Sequence, residues 1–262
     1  MTIGRFFRTP KGLALIVLAF LTILAGFGQG LGVIAPDIAG AVIPAMLIDA
    51  AILRRIKRKW VFPSGALLTG LIVAMILSPR EPWYVVAITS AIGVLSKYVV
   101  RIRTANVFNP AALALVATFY VFDTAQSWWG AAPEISPIAL LALFSTGAFV
   151  AYKVNKVPAV LAFLGGYYLL ATLTAFAGDP RHVAELYRAP DLHAALYFAF
   201  FMVTDPPTSP PKHRDQLVFG AIVAAASFAV FELVGAAYFL LAGLLVANAW
   251  EGWRRARARA QR

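Results

Sequence analysis

The residue of this chain best suited to chemistry inside a membrane is a carboxylate that lies where an apolar segment stops. The apolar run that begins near residue 192 ends at Thr204 and Asp205, and two prolines follow. A helix of about a dozen residues spans about 18 Å, less than the roughly 30 Å of a bilayer's hydrocarbon core. Carboxylates at membrane depth are costly and mark ion or substrate pathways. The alternative is that Asp205 only shapes a local turn, because Asp-Pro-Pro and Thr-Ser-Pro are strong turn formers.

An earlier segment, residues 62–78, has the same design. It opens at Ser64 after a proline and stops at Ser78, which another proline follows. Two short, proline-ended apolar segments at corresponding places in two halves point to a binding site between inverted repeats. We therefore predict an ion or substrate pathway that includes Ser64, Ser78, Thr204, Asp205 and Thr208. We expect the two truncated spans to meet tip to tip from opposite leaflets and to form a polar pocket there.

Two asparagines and a lysine between these segments are candidates for holding a ligand. Asn109 precedes Pro110 at the start of a predicted helix, which is typical of an N-cap. Asn106 and Asn109 also suit a polar or anionic ring, such as a flavin or quinone head, above free N–H groups. Lys97 is either a cation that faces a flavin, quinone or phosphate, or a side chain that snorkels to the inner interface.

The composition is that of a polytopic membrane protein. Of 262 residues, 61% are hydrophobic and only 13% are charged, about half the charged fraction of a soluble domain. The chain contains no cysteine, which excludes disulfides and thiolate metal sites, and its three histidines lack metal-ligand spacing. No catalytic triad, P-loop or dinucleotide fingerprint is present. We therefore predict an all-α protein without a self-contained active site.

Ten apolar segments predict ten membrane spans, and the basic residues orient them. With the N-terminus in the cytoplasm, 20 of the 23 Lys and Arg residues fall on inner loops, as the positive-inside rule requires. Both termini are then cytoplasmic, and the basic tail faces anionic lipid headgroups rather than nucleic acid. The predicted spans are 12–28, 36–53, 62–78, 83–100, 107–122, 137–152, 157–177, 192–204, 217–231 and 233–249.

Ten spans divide into two halves of opposite orientation. We predict one membrane domain made of two inverted five-helix repeats, residues 1–135 and residues 136–262, the second with the basic cytoplasmic tail. The small residues in the helices after each short span let helix backbones approach closely.

Three sequence blocks together resemble one family, the membrane subunits RnfD of Rnf electron-transport complexes and NqrB of sodium-pumping NADH:quinone reductase. The blocks are Pro63-Ser64-Gly65 through Leu77-Ser78-Pro79, then Ser96-Lys97 with Asn106-Val107-Phe108-Asn109-Pro110-Ala111, and then Thr204-Asp205-Pro206-Pro207-Thr208 with Phe219-Gly220. The resemblance covers most of residues 54–250.

The resemblance implies a fold and an activity. The fold is an inverted five-helix repeat like that of urea transporters. The activity is flavin- or quinone-linked electron transfer coupled to Na⁺ or H⁺ movement, with other membrane subunits, in the bacterial cytoplasmic membrane. Asn106 and Asn109 match asparagines of the family's riboflavin or quinone region, and Phe119 lies in the helix that follows.

One departure from the family concerns the covalent flavin. The family's Ser-Gly-Ala-Thr-type motif belongs in a long segment between spans five and six, but here that link covers only residues 123–136 and lacks the motif. We therefore expect no covalent FMN, and riboflavin or FMN held noncovalently. Two alternatives stay open: a channel or transporter for a small polar solute or a flavin, and a purely structural partner of another membrane protein.

Overall fold

The computed structural model describes residues 6–7, 9–102, 105–178 and 180–260, and this part of the chain is all-α apart from one small hairpin. The helices are α1 (Pro10–Gln29), α2 (Leu31–Lys57), α3 (Ser64–Ile76), α4 (Trp83–Val99), α5 (Pro110–Phe122), α6 (Ile138–Lys153), α7 (Val157–Ala177), the short α8 (Pro180–Ala184), α9 (Asp191–Phe201), α10 (His213–Val234) and α11 (Phe239–Ala260). The hairpin pairs β1 (Arg101–Ile102) with β2 (Ala105–Asn106). Among the basic residues assigned to the inner side, Arg5, Arg8, Arg103 and Arg262 lie outside the described residues.

The helix lengths are those of a multi-pass membrane protein. Helices α1, α2, α7 and α10 are long and apolar enough to cross a membrane, and α3, α4, α5, α6 and α9 are shorter apolar helices. Each of the ten predicted spans matches one helix, so the predicted fold class is confirmed. The bounds of the tenth span, 233–249, are wrong, because Gly235 ends α10 with a φ of 63° and α11 continues through the basic tail.

Local capping explains where several helices begin. Thr9 accepts a hydrogen bond from the amide of Gly12 and precedes Pro10, the first residue of α1. Gly30, with a φ of 87°, is the single residue between α1 and α2. A left-handed backbone of this kind is strained for residues that carry a Cβ, which explains a glycine at this junction.

The two halves of the chain share a pattern of helix contacts. The second helix packs on the fourth in each half, α2 on α4 and α7 on α10, and the fourth packs on the fifth, α4 on α5 and α10 on α11. The first helices of the halves, α1 and α6, contact each other. This pattern is what two five-helix repeats require. The inversion of the repeats and the boundary between residues 135 and 136 stay predictions.

The short helices α3 and α9 are truncated as predicted, with 13 and 11 residues. The expected tip-to-tip meeting of the two helices from opposite leaflets stays a prediction, and one side-chain contact joins them directly. The hydroxyl of Tyr197, in the middle of α9, donates a hydrogen bond of 3.3 Å to Sδ of Met75, near the end of α3. This contact places the side chain of Tyr197 against the last turn of α3.

The backbone that follows each short helix is bonded to protein. The carbonyl of Ile76, at the end of α3, accepts a hydrogen bond of 2.9 Å from the amide of Ser127. After α9, the carbonyls of Ser209 and Pro210 accept hydrogen bonds of 3.2 Å and 2.6 Å from Nζ of Lys156. Irregular backbone at membrane depth is tolerated where protein satisfies it in this way.

Candidate functional site

A cavity of about 760 Å³ lies between α3 and the end of α9. It is lined by the starts of α1, α3 and α5, the ends of α4 and α6, and the segment after α9. These ends therefore share one side of the molecule, as the predicted topology requires of the inner side. The volume lies in the range of small-molecule sites, roughly 300–1,000 Å³. Six of the nine predicted site residues line the cavity: Ser64, Lys97, Asn106, Asn109, Thr204 and Asp205.

Asn109 has two roles that the sequence left as alternatives. Its Oδ1 accepts hydrogen bonds of 3.1 Å from the amides of Ala111 and Ala112, so the predicted N-cap is confirmed. Its side chain is also buried, and it lines the cavity together with the half-buried Asn106 in β2. The carboxamide nitrogen of Asn109 donates to no described residue and stays available as a donor.

Lys97 lines the cavity. Its Nζ donates a hydrogen bond of 2.8 Å to the carbonyl of Gly65 in the first turn of α3. An ammonium group has three donors, so this contact leaves two for a ligand. Gly65 has no side chain that could separate the lysine from the helix.

Asp205 is both a turn residue and a cavity residue. Its Oδ2 accepts a hydrogen bond of 2.8 Å from the hydroxyl of Thr208, and its carbonyl accepts one of 3.0 Å from the amide of Ser209. Thr208 itself is buried behind the carboxylate and does not line the cavity. Among the cavity-lining residues that the structure describes, Asp205 is the one carboxylate. No group of three His, Asp or Glu side chains converges in the described ranges as a metal site would require.

Lys156, in the link between α6 and α7, supports the segment that carries Asp205. It is 4% exposed and donates to two carbonyls of that segment. Burial lowers the pKa of the Lys156 ammonium to about 8, and the nearby carboxylate of Asp205 opposes this change. The segment is thus held by a buried cation that lies outside the cavity.

Sequence reasoning missed a polar network contributed by α11. Asn248 is fully buried, and its Oδ1 accepts a hydrogen bond of 2.8 Å from the amide of Asn109. One turn further along α11, Glu251 accepts hydrogen bonds from Arg254 and Arg255. Arg255 also donates a hydrogen bond of 2.7 Å to the carbonyl of Pro207. The signal was present, because Asn248 and Glu251 are polar residues three positions apart in an apolar helix and so share one face.

Two predicted site residues lie away from the cavity. The ring of Phe119 contacts that of Tyr238 with a centroid distance of 4.7 Å, in an aromatic cluster with Tyr120. Ser78 lies beyond the opposite end of α3, where its amide donates to the carbonyl of Ala125. Phe119 points out of the cavity because it lies nearly three turns along α5 from Asn109, and Ser78 is separated from the cavity by the length of α3.

The family model described as the NQR2, RnfD, RnfE family matches residues 9–172 and 134–250, which together cover most of the chain. The chain is similar to a protein of Clostridium ljungdahlii named as a subunit of a proton-translocating ferredoxin:NAD(+) oxidoreductase complex, with 26% identity over 79% of this chain and 75% of that protein. It is also similar to proteins named as subunits of ion-translocating oxidoreductase complexes. The one from Shewanella amazonensis is 24% identical over 79% of this chain and 80% of its own length. The one from Halorhodospira halophila is 27% identical over 69% of this chain and 70% of its own length.

Proposed function

The chain belongs to the NQR2, RnfD, RnfE family, and we propose that it is an integral membrane subunit of an Rnf-type electron-transport complex. In this proposal it holds a flavin noncovalently and couples flavin- or quinone-linked electron transfer to movement of Na⁺ or H⁺. Its partners are the other membrane subunits of the complex. It lies in the bacterial cytoplasmic membrane, with both termini and the cavity on the cytoplasmic side and the basic tail against anionic headgroups.

One observation carries the proposal: residues from both halves, brought together from far apart in the sequence, line one cavity. Asn106 and Asn109 come from the first half, and Thr204 and Asp205 come from the second. A site between two repeats of a membrane protein is the expected place for a substrate or a coupling ion.

The residues at the cavity fit a flavin. The walls are mainly apolar, with Leu68, Ile72 and Phe201 among them, and suit a flat aromatic ring. The free carboxamide donor of Asn109 and the side chain of Asn106 supply the few polar contacts that orient a ligand in such a site. A bound flavin would supply one- and two-electron transfer there. We propose that the flavin is bound without a covalent bond, because the link over residues 123–136 lacks the family's attachment motif.

Asp205 is the proposed contact for the coupled cation. Its carboxylate borders the cavity, and only one of its oxygens is used by Thr208. The second oxygen can therefore bind a cation or a proton without breaking the turn. Thr204 and Ser64 lie on the same cavity surface and offer hydroxyl oxygens.

The deciding experiment is a test for bound flavin. The full chain, purified in detergent with its complex, should show flavin absorbance, and mass spectrometry after denaturation should release the flavin unmodified. Asn106→Ala should lower flavin content, whereas Ser78→Ala, at the far end of α3, should not. A purified complex without flavin would contradict the proposal, and solute uptake into proteoliposomes that survives flavin depletion would favour a transporter instead.

A further inference from the structure

Two ammonium groups converge on one turn of the cavity wall. A side-chain carbon placed on Gly65 would lie 3.7 Å from Nζ of Lys97 and 3.9 Å from Nζ of Lys11. Lys97 comes from α4 and Lys11 from α1, so two separate helices bring their cations to the start of α3. Both residues line the same cavity.

The two lysines keep most of their hydrogen-bonding capacity. Lys97 uses one donor on the carbonyl of Gly65, and Lys11 donates to no residue in the described ranges. Like charges repel at short range, so two neighbouring ammonium groups favour an anion between them. Two carboxylates act electrostatically on these lysines: Asp205, at the cavity wall, on both, and Asp49, outside the cavity, on Lys97. Asp205 accepts a hydrogen bond from Thr208 and Asp49 accepts one from Tyr98, and in the described ranges neither accepts one from Lys11 or Lys97.

The rest of the wall restricts the kind of anion. Beside the lysines the cavity is lined by apolar side chains, including Leu18, Leu68, Ile72 and Val150. A small hydrated ion would leave these walls without contact. A ligand with an apolar body and one anionic end fills both parts of the site.

We infer that the ligand of this cavity carries a phosphate group, which Lys11 and Lys97 bind. This inference rests on the proposed function and narrows it, because the flavin is then FMN rather than riboflavin. A phosphate monoester carries close to two negative charges at neutral pH and three strong acceptor oxygens, which matches two ammonium groups. The same chemistry is present in a phospholipid headgroup, so the lipid has to be controlled in the test.

The experiment compares FMN with riboflavin, which differ only in the phosphate. The full chain is reconstituted in phosphatidylcholine nanodiscs, and each flavin is titrated by quenching of its fluorescence. FMN should bind at least about tenfold more tightly than riboflavin, because charge-assisted hydrogen bonds are worth that much affinity or more. The preference should fall in Lys11→Gln and disappear in the double variant Lys11→Gln, Lys97→Gln.

The matched control is Lys153→Gln, Lys212→Gln, which removes two lysines that do not line the cavity. This variant should keep the preference for FMN. The Lys11→Gln variant is expected to fold normally, because Lys11 is exposed and its side chain makes no hydrogen bond in the described ranges. A loss of FMN preference in this variant therefore reports on ligand binding and not on misfolding.

Each other result has a definite meaning. Equal affinity for the two flavins would overturn the phosphate inference and leave the flavin proposal standing. Binding of neither flavin would overturn both. A preference for FMN that persists in both lysine variants would overturn the assignment to Lys11 and Lys97. Repeating the titration in phosphatidylglycerol nanodiscs distinguishes the phosphate of a lipid headgroup from that of the flavin. If phosphatidylglycerol weakens FMN binding to the unmodified protein but not to the lysine variants, lipid phosphate competes at the same lysines. If FMN binding is unchanged, the site is assigned to the flavin phosphate.

Discussion

The buried side chain of Asn248 accepts a hydrogen bond of 2.8 Å from the backbone amide of Asn109. Nδ2 of Asn248 donates a hydrogen bond of 3.3 Å to the carbonyl of Thr208. The hydroxyl of Thr208 in turn donates a hydrogen bond to the carboxylate of Asp205. One carboxamide therefore connects the start of α5 in the first half with the irregular segment after α9 in the second. The two sides of the cavity are held in register by a residue that does not line it.

Asn248→Leu is expected to destabilise the protein by about 2–4 kcal/mol, because it leaves a buried amide and a buried carbonyl without partners. Chemical denaturation in detergent micelles measures this change. The control is Gln29→Leu, which removes a carboxamide whose bond to Glu134 is exposed and should cost less than about 1 kcal/mol. Equal effects of the two variants would show that the bridge does not hold the halves together.

Arg255→Gln is expected to loosen the segment between residues 205 and 211. Arg255 donates to the carbonyls of Pro207 and Ser209, and glutamine cannot reach both. Hydrogen exchange at the amides of Thr208 and Ser209 should accelerate by about tenfold, which corresponds to the loss of one hydrogen bond to a charged group.

Arg257→Gln is the control for that measurement. Arg257 is exposed on the same helix and stacks over the ring of Trp253 at 4.0 Å. Its removal should leave the exchange rates of Thr208 and Ser209 unchanged. If both arginine variants accelerate exchange alike, the cause is the loss of charge from the tail and not the loss of the carbonyl contacts.

Gly220→Ala is expected to force α7 and α10 apart. A Cβ on Gly220 would lie 2.4 Å from the carbonyl oxygen of Ala159, and neither backbone can yield locally. We expect a loss of about 2–3 kcal/mol in the free energy of unfolding. Gly165→Ala, on α7, meets no atom within 4 Å and should be neutral or stabilising by up to about 1 kcal/mol. A Gly165→Ala protein that is destabilised as much as Gly220→Ala would show that the close approach of Ala159 is not what requires a glycine at position 220.

Phe119→Leu is expected to keep the flavin affinity within about twofold of that of the unmodified protein. Phe201→Leu is expected to weaken flavin affinity by about fivefold to tenfold, because it removes one aromatic contact with the ring. Phe201 borders the cavity, whereas Phe119 packs against Tyr238. Flavin titration of the two purified variants makes the comparison. A larger loss in Phe119→Leu would restore the role that the sequence assigned to this residue.

The helices were predictable because apolar length and proline position are local properties of the chain. Segments 62–78 and 192–204 were expected to be short, and α3 and α9 are. The cap of Asn109 was predictable for the same reason, since a residue before a helical proline has few other roles. The contact of α3 with α9 was not, because the hydrogen bond between Tyr197 and Met75 joins side chains 122 residues apart.

The cavity residues were predictable only where a short segment or a cap pointed to them. Lys11 could not be predicted as a cavity residue, because nothing in its sequence neighbours shows that α1 begins beside Gly65. Asn248 was hidden in a helix that resembled an ordinary span. The role of Phe119 is implied by the resemblance alone, and the rotation of α5 places its ring against Tyr238 rather than in the cavity lining.

Tyr197 and Met75 also determine what can leave the cavity on its closed side. Met75 lies about one turn beyond Ile72, the last cavity residue of α3, and both Met75 and Tyr197 are fully buried. Gly130, in the link between α5 and α6, packs against Met75. Two buried side chains therefore lie beyond the last cavity residue of α3. Under the proposed function, an electron could tunnel past them while every atom stays in place, whereas a cation would have to displace them. Of the two proposed movements, only that of the cation would then require the protein to change shape.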